Sequence, residues 1–263
     1  MNNLGKYFEI FWLLSRYSVM TSMQSKVSVA LFTVAKLIRF AMFFFFIYYL
    51  ITHTNTIKGY SADQALIFFL TFSIIDSVSQ ALFREVYRFR QMVISGELNS
   101  VLVKPYPALL RVLVGGVDPM DLVISVGYVC MAAYILYFIP NISAVSLWLY
   151  AGFVVNSMVL AAAFHVAVLA FAIITTDVDH GILIYRDVVS AGRFPLEIYK
   201  EPMRSILTFV VPVGIMMSFP SQAVFGTLGI LQGTVGVILS FGALWLSLGF
   251  WRIALRRYQS WGG

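Results

Sequence analysis

The sequence predicts an all-α integral membrane protein. It reads as one domain over 1–263, with six transmembrane helices, an N-terminal interfacial helix and a re-entrant hairpin between helices five and six. Three observations carry this prediction. Of the 263 residues, 60% are hydrophobic and only 11% charged, whereas a soluble domain has roughly 45–50% and about 25%. The apolar residues fall in runs of about 20, the length that crosses ~30 Å of hydrocarbon as a helix. Finally, 17 of the 18 Lys and Arg collect on one side of those runs, with Lys58 alone on the other.

The first 30 residues place Leu4, Phe8, Phe11, Trp12 and Val19 on one helical face and Lys6, Glu9 and Arg16 on the other. This is the pattern of a helix lying in the interface, where Trp12 and Tyr17 suit headgroup depth. A cytoplasmic helix packed on the first span is the alternative. The first 35 residues lack a compact apolar core with a small-residue cleavage site, so no cleavable signal peptide is expected.

Six apolar runs follow, at about 34–55, 63–83, 120–139, 147–174, 204–219 and 228–251. Only helices satisfy their own backbone groups in lipid while standing as single segments. Asp118-Pro119 supplies an N-cap and a proline at the first helical position for the third. The fifth is short and carries Pro212, and Pro220-Ser221-Gln222 then leads into Ala223–Thr227. That pattern predicts a helix followed by an outer-side re-entrant excursion over 204–227. In the sixth, Gly229 and Gly233 form a small-xxx-small pair suited to close helix packing, within the chain or across a dimer.

The net charge of +6 and pI of about 9.4 reflect this asymmetry rather than a nucleic-acid partner. Membrane proteins concentrate Lys and Arg in cytoplasmic loops, so both termini are expected in the cytoplasm, with the segments 84–118 and 175–204 beside them. The lone Cys130 forms no internal disulfide and reads as a small buried hydrophobe.

Chemistry-bearing motifs are scarce. Gly5-Lys6-Tyr7 lacks the glycine-rich loop of a nucleotide cradle, and neither His-Glu-x-x-His nor Gly-x-Ser-x-Gly occurs. No catalytic residue or cofactor is therefore expected in this chain. Asp177, Asp179 and His180 cluster after the fourth run, but a solvated helix end explains them better than a metal site. Within the runs, Asp76, Asn156 and His165 are pathway candidates, because ionisable and polar groups at depth are usually paired or line a path. No Lys or Arg is evident at the depth of Asp76, so a proton relay is not expected.

The segment 84–118 contains Arg84-Glu85-Val86-Tyr87-Arg88-Phe89-Arg90, then Ile94-Ser95-Gly96-Glu97-Leu98-Asn99-Ser100-Val101-Leu102-Val103-Lys104-Pro105. It resembles the Ser-Gly-Glu-Leu-Asp and Leu-Leu-x-Arg-Pro signature of a subgroup of ABC-2-type transporter permeases. Asn99 stands where that signature has an acid and Lys104 where it has arginine. Gly192-Arg193-Phe194-Pro195-Leu196-Glu197-Ile198-Tyr199 is similar to the family's aromatic-proline segment, and Pro212 and Phe219-Pro220 to its spaced prolines.

The resemblance implies one permease unit of an exporter in the cytoplasmic membrane. It would pair with a second permease chain, the same or a sister, and with separate ATPase subunits that hold ATP and Mg and drive alternating access. It implies a short coupling helix within 90–105, involving Arg90, Ser95, Gly96, Glu97, Leu98, Leu102, Lys104 and Pro105, with Leu98, Val101 and Leu102 entering the ATPase groove. Pro212, Pro220, Ser221 and Gln222 are then the outer gate. Two other classes compete: a membrane scaffold or enzyme of envelope or lipid synthesis, which lacks a catalytic constellation here, and an ion-coupled secondary transporter, which would carry more intramembrane charge and internal repeats. Membrane lipids are expected neighbours in every case.

Overall fold

The computed structural model describes residues 3–22, 24, 26–54, 61–175 and 178–258. The chain is all-helical among these residues, with no strand. The elements are α1 (Asn3–Ser22), α2 (Lys26–Thr54), α3 (Ala62–Phe83), α4 (Phe89–Ile94), α5 (Glu97–Leu102), α6 (Ala108–Val114), α7 (Pro119–Phe138), α8 (Ala144–Thr175), α9 (Val178–Ala191), α10 (Met203–Ser205), α11 (Val213–Val224) and α12 (Ile230–Arg257). Among the described residues, four single stretches are long and apolar enough to cross a membrane: Asp63–Ile94, Pro119–Phe138, Ala144–Thr175 and Ile230–Arg257. The bent pair Met203–Val210 and Val213–Val224 makes a fifth if it counts as one span.

Local chemistry sets the helix starts. Ser61 caps α3 in a reciprocal box with Gln64. Asp118 caps α7 by accepting from the Met120 and Asp121 amides at 2.9 and 3.2 Å, with Pro119 at the first helical position, as the sequence predicts. α3 ends at Phe83, where the run 63–83 predicts its end. A tight turn over Arg84–Arg88 leads straight into α4, so most of the segment read as a loop is helical.

α3 has Ile67, Phe68, Leu70 and Ile75 fully enclosed: Phe68 and Ile75 share one core with Leu160 and Leu169 of α8 and Met216 and Met217 of α11, while Ile67 and Leu70 pack towards Leu136 and Ala132 of α7. The pairings fix direction. Ala81 lies at Asp118 and Ile67 near Leu136, so α3 and α7 are antiparallel. Lys36 meets Asp121 and Phe40 meets Tyr128, so α2 runs parallel to α7. The Cβ position of Gly233 faces the Phe153 ring, and Asn156 bonds Ser240, so α8 and α12 are parallel. The directions of α2, α3, α7, α8, α11 and α12 therefore alternate. α1 also lies at the end that collects the basic residues. There the Val117 amide donates to Ser15 Oγ at 3.2 Å, and a Cβ on Gly116 would sit only 2.6 Å from the Leu14 carbonyl oxygen. Close packing of glycines in α12 occurs within the chain, at Gly233 and Gly236, rather than at Gly229, which is the N-cap.

The fifth run departs from its sequence reading. The chain bends by 91° between Val210 and Val213, after a π turn over Ile206–Val210. Pro220-Ser221-Gln222, expected as a turn, lies inside α11. A proline removes the N–H that would bond the carbonyl four residues earlier, here Met216. The Ser157 hydroxyl of α8 replaces it, donating to the Met216 carbonyl at 2.6 Å, which is how a helix keeps a proline in a dry interior. Ser157→Ala should therefore lower stability by about 1–2 kcal/mol, read as thermal melting in detergent. In a Pro220→Ala background, where an amide again serves Met216, the same change should cost almost nothing.

Candidate functional site

The basic end is built from two connected polar assemblies. The first is the segment 84–114. Glu85, nearly buried, accepts from Arg111 at 2.7 Å and Arg88 at 3.3 Å, and Arg111 also lies 3.6 Å from Glu97. One buried carboxylate between two guanidiniums thus ties α4–α6 to the end of α3. Gly96 joins α4 to α5 with φ of +72°, a left-handed turn natural to glycine. Glu97 then opens α5, where its charge complements the helix terminus. The Tyr258 hydroxyl donates to Asn99 Oδ1 at 3.0 Å, so the departure from the acidic residue of the signature is met by the chain's own C-terminal helix. Burial from apolar surroundings pushes the Tyr258 phenol pKa up, keeping it a donor.

The burial pattern corrects the expected docking face. Leu98 is 0% exposed and Val101 is likewise enclosed, both packed into the bundle core with Phe89, Met92 and Val93. They anchor the segment and are not available to a partner. The apolar residues turned outward are Ile94, Leu102 and Val103, the last 84% exposed, beside exposed Arg90, Ser95, Lys104 and Pro105. Amphipathic spacing alone does not say which face is inside.

The second assembly is a cleft between α2, α3 and α7, closed by residues around α9. Lys36 pairs with Asp121, Arg84 with Asp118, and Arg39 lies 3.9 Å from Asp76. Asp76 thus has a cation at matching depth, contrary to the sequence reading. The partner was hidden because Lys36 and Arg39 sit inside the apolar run of α2, one turn apart, and read there as entry charges. Two adjoining cavities of about 70 and 350 Å³ share Lys36, Arg39, Gln80 and Asp121; Arg193 lines the first and Arg186 the second. Phe40, Phe69 and Tyr128 form an aromatic wall, with Phe40 stacked 5.3 Å from Phe69. The Arg193 guanidinium sits 5.8 Å over the Phe72 ring.

Other sequence candidates lie away from the charged cleft. Asn156 donates to Ser240 at 2.9 Å between α8 and α12. His165 is enclosed by Phe83, Tyr87 and Tyr185, with Nδ1 2.7 Å from the Ala161 carbonyl. Neither lines the charged cleft. Pro212, Pro220 and Ser221 are buried in the bundle, whereas Gln222 donates to Glu197 at 2.7 Å beside a separate cavity of about 540 Å³. Glu197 was quoted in the sequence only as part of the aromatic-proline segment. Asp177 and the side chains of Asp179 and His180 lie outside the described residues, as do Lys58 and the side chains of Leu4 and His53. Among the described residues no group of three or more metal-ligating side chains occurs. Cys130 is exposed rather than buried.

A family model described as ABC-2 family transporter protein matches residues 37–262, nearly the whole chain. No curated protein matches it.

The Lys36–Asp121 pair is enclosed on both sides, with side chains 14% and 3% exposed. Removing one member of such a pair costs about 3–5 kcal/mol, because the other charge is left buried. Asp121→Asn should thus lower the melting temperature sharply, and Lys36→Met combined with Asp121→Leu should recover much of the loss. Equal melting of the single and double variants would show that the pair is not closed in solution.

Proposed function

The chain belongs to the ABC-2 transporter family, and from that premise we propose that it is the membrane subunit of an ATP-driven exporter. The observation that carries this is the two-faced segment 89–105. Leu98 and Val101 lock its inner face to the bundle, and the Glu85–Arg111–Glu97 network holds its ends. Ile94, Leu102 and Val103 leave an apolar outer edge beside Arg90 and Lys104. A chain with no nucleotide cradle needs a rigid lever through which a separate ATPase acts, and this edge is where that contact falls.

On this reading α2, α3, α7, α8, the bent pair ending in α11, and α12 are the six spans. Their alternating directions bring both termini to the basic end, which on this reading faces the cytoplasm by the positive-inside rule. The 91° break before α11 falls within 204–227, the stretch expected to hold the re-entrant excursion between helices five and six. A second permease chain completes the pathway, and ATP and Mg are held by the ATPase subunits. The competing classes draw less support, since the charges at depth are paired across helices.

Leu102→Asp with Val103→Asp should abolish co-purification with the ATPase subunit while membrane insertion and melting stay near wild type. Leu98→Asp should instead lower melting, since it forces a carboxylate into the core. Retention of ATPase by the Leu102/Val103 variant, with coupled hydrolysis intact, would reject the contact.

A further inference from the structure

We infer that the cleft between α2, α3 and α7 binds the phosphate-bearing headgroup of an anionic amphiphile that enters from the side of α2. The inference deepens the exporter reading and rests on it for the idea that this molecule is the cargo.

Charge is the first argument. Five cations line the two adjoining cavities, Lys36, Arg39, Arg84, Arg186 and Arg193, against the two carboxylates Asp76 and Asp121. Asp121 is taken by Lys36, and Arg84 finds its partner in Asp118 just outside the cleft. Arg39 makes only the loose 3.9 Å pair with Asp76 and is more than half exposed. Arg186 and Arg193 have no ion pair among the described residues, and Arg193 rests on an aromatic ring instead. Three guanidiniums are thus wholly or partly uncompensated around one concavity. Planar donors of this kind match phosphate oxygens two at a time.

Shape is the second. A polar floor alone would suit any small anion. Here the same cavity continues along Phe40, Phe69 and Phe72, so the space that receives charge is contiguous with an apolar wall. α2 touches the bundle mainly along Lys36, Arg39 and Phe40, while Leu37, Ile38, Met42 and Phe45 on its remaining surface are exposed. The cleft therefore opens on the flank of the bundle rather than only at its end. A headgroup on the guanidiniums with tails along the aromatic wall fits both parts at once.

The third is placement. Arg186 lies in the second half of α9 and Arg193 in the turn two residues past its end, and α9 doubles back along α8 with Gly181 against Val168 and Tyr185 against His165. The same stretch continues through Leu196, which packs on Gly214 at the start of α11, directly after the 91° bend. A bound anion would pull on the element that leads into the broken helix.

The test uses the full chain in mild detergent, titrated with phosphatidic acid or phosphatidylcholine of matched tails, with bound lipid counted by native mass spectrometry. Phosphatidic acid should be retained in preference, and that preference should fall by at least about tenfold in R186Q/R193Q. It should survive in R186K/R193K and be unchanged in R256Q/R257Q, a pair of exposed arginines remote from the cleft. Excess inorganic phosphate should leave the lipid bound. Should R186Q/R193Q fail to fold, R193Q alone carries the comparison. Equal retention of the two lipids, or an undiminished preference without the two arginines, would overturn the site. Displacement by inorganic phosphate would overturn the amphiphile and leave a soluble anion. No ATPase enters this measurement, so its failure and the failure of the exporter reading are separately visible.

Discussion

The structure depends on pairing charges inside a chain that has few of them. Asp118 and Asp121 in the first turn of α7, and Glu85 after α3, are carboxylates drawn out of water. Each is met by a cation from a different element: Lys36 from α2, Arg84 from the end of α3, Arg111 from α6. An isolated buried charge is unstable in an apolar medium, so these elements have little choice of register once the carboxylates are fixed. The same contacts bring α2 beside α3, start α7 at the right height, and hold the 89–105 segment under the bundle.

Backbone satisfaction is the second constraint, and it explains the broken helix. Pro212 lies in the bend and Pro220 sits within α11, and the two have different outcomes. At Pro220 a neighbouring hydroxyl from Ser157 takes over the orphaned carbonyl, and the helix runs on. At 211–212 the chain turns instead, and the preceding π turn redistributes its bonds. The lesson is that proline position alone does not locate a break; the neighbouring helix decides.

Much of the fold was legible from the sequence because apolar runs and caps are local signals. Asp118-Pro119 marks α7 to the residue, and Gly96 marks the α4–α5 turn through its left-handed backbone. What local signals do not carry is which partner completes a charge or which face is covered. Arg39 and Asp76 lie 37 positions apart, and only the antiparallel packing of α2 on α3 brings them together. Leu98 and Leu102 share a helical face by spacing, yet Leu98 is enclosed and Leu102, the last residue of α5, is exposed.

On the proposed exporter reading, coupling is a matter of rigidity: an ATPase pressing on the outer edge of 89–105 would press, through Leu98 and the Glu85–Arg111 bridge, on the end of α3. The most direct test places a photo-crosslinking residue at Val103 and, separately, at Leu98 and Tyr134, in native membranes. The account predicts that Val103 alone forms an adduct with a protein that is also labelled by a photoreactive ATP analogue. An adduct from Tyr134 at the opposite end of α7, with none from Val103, would contradict it.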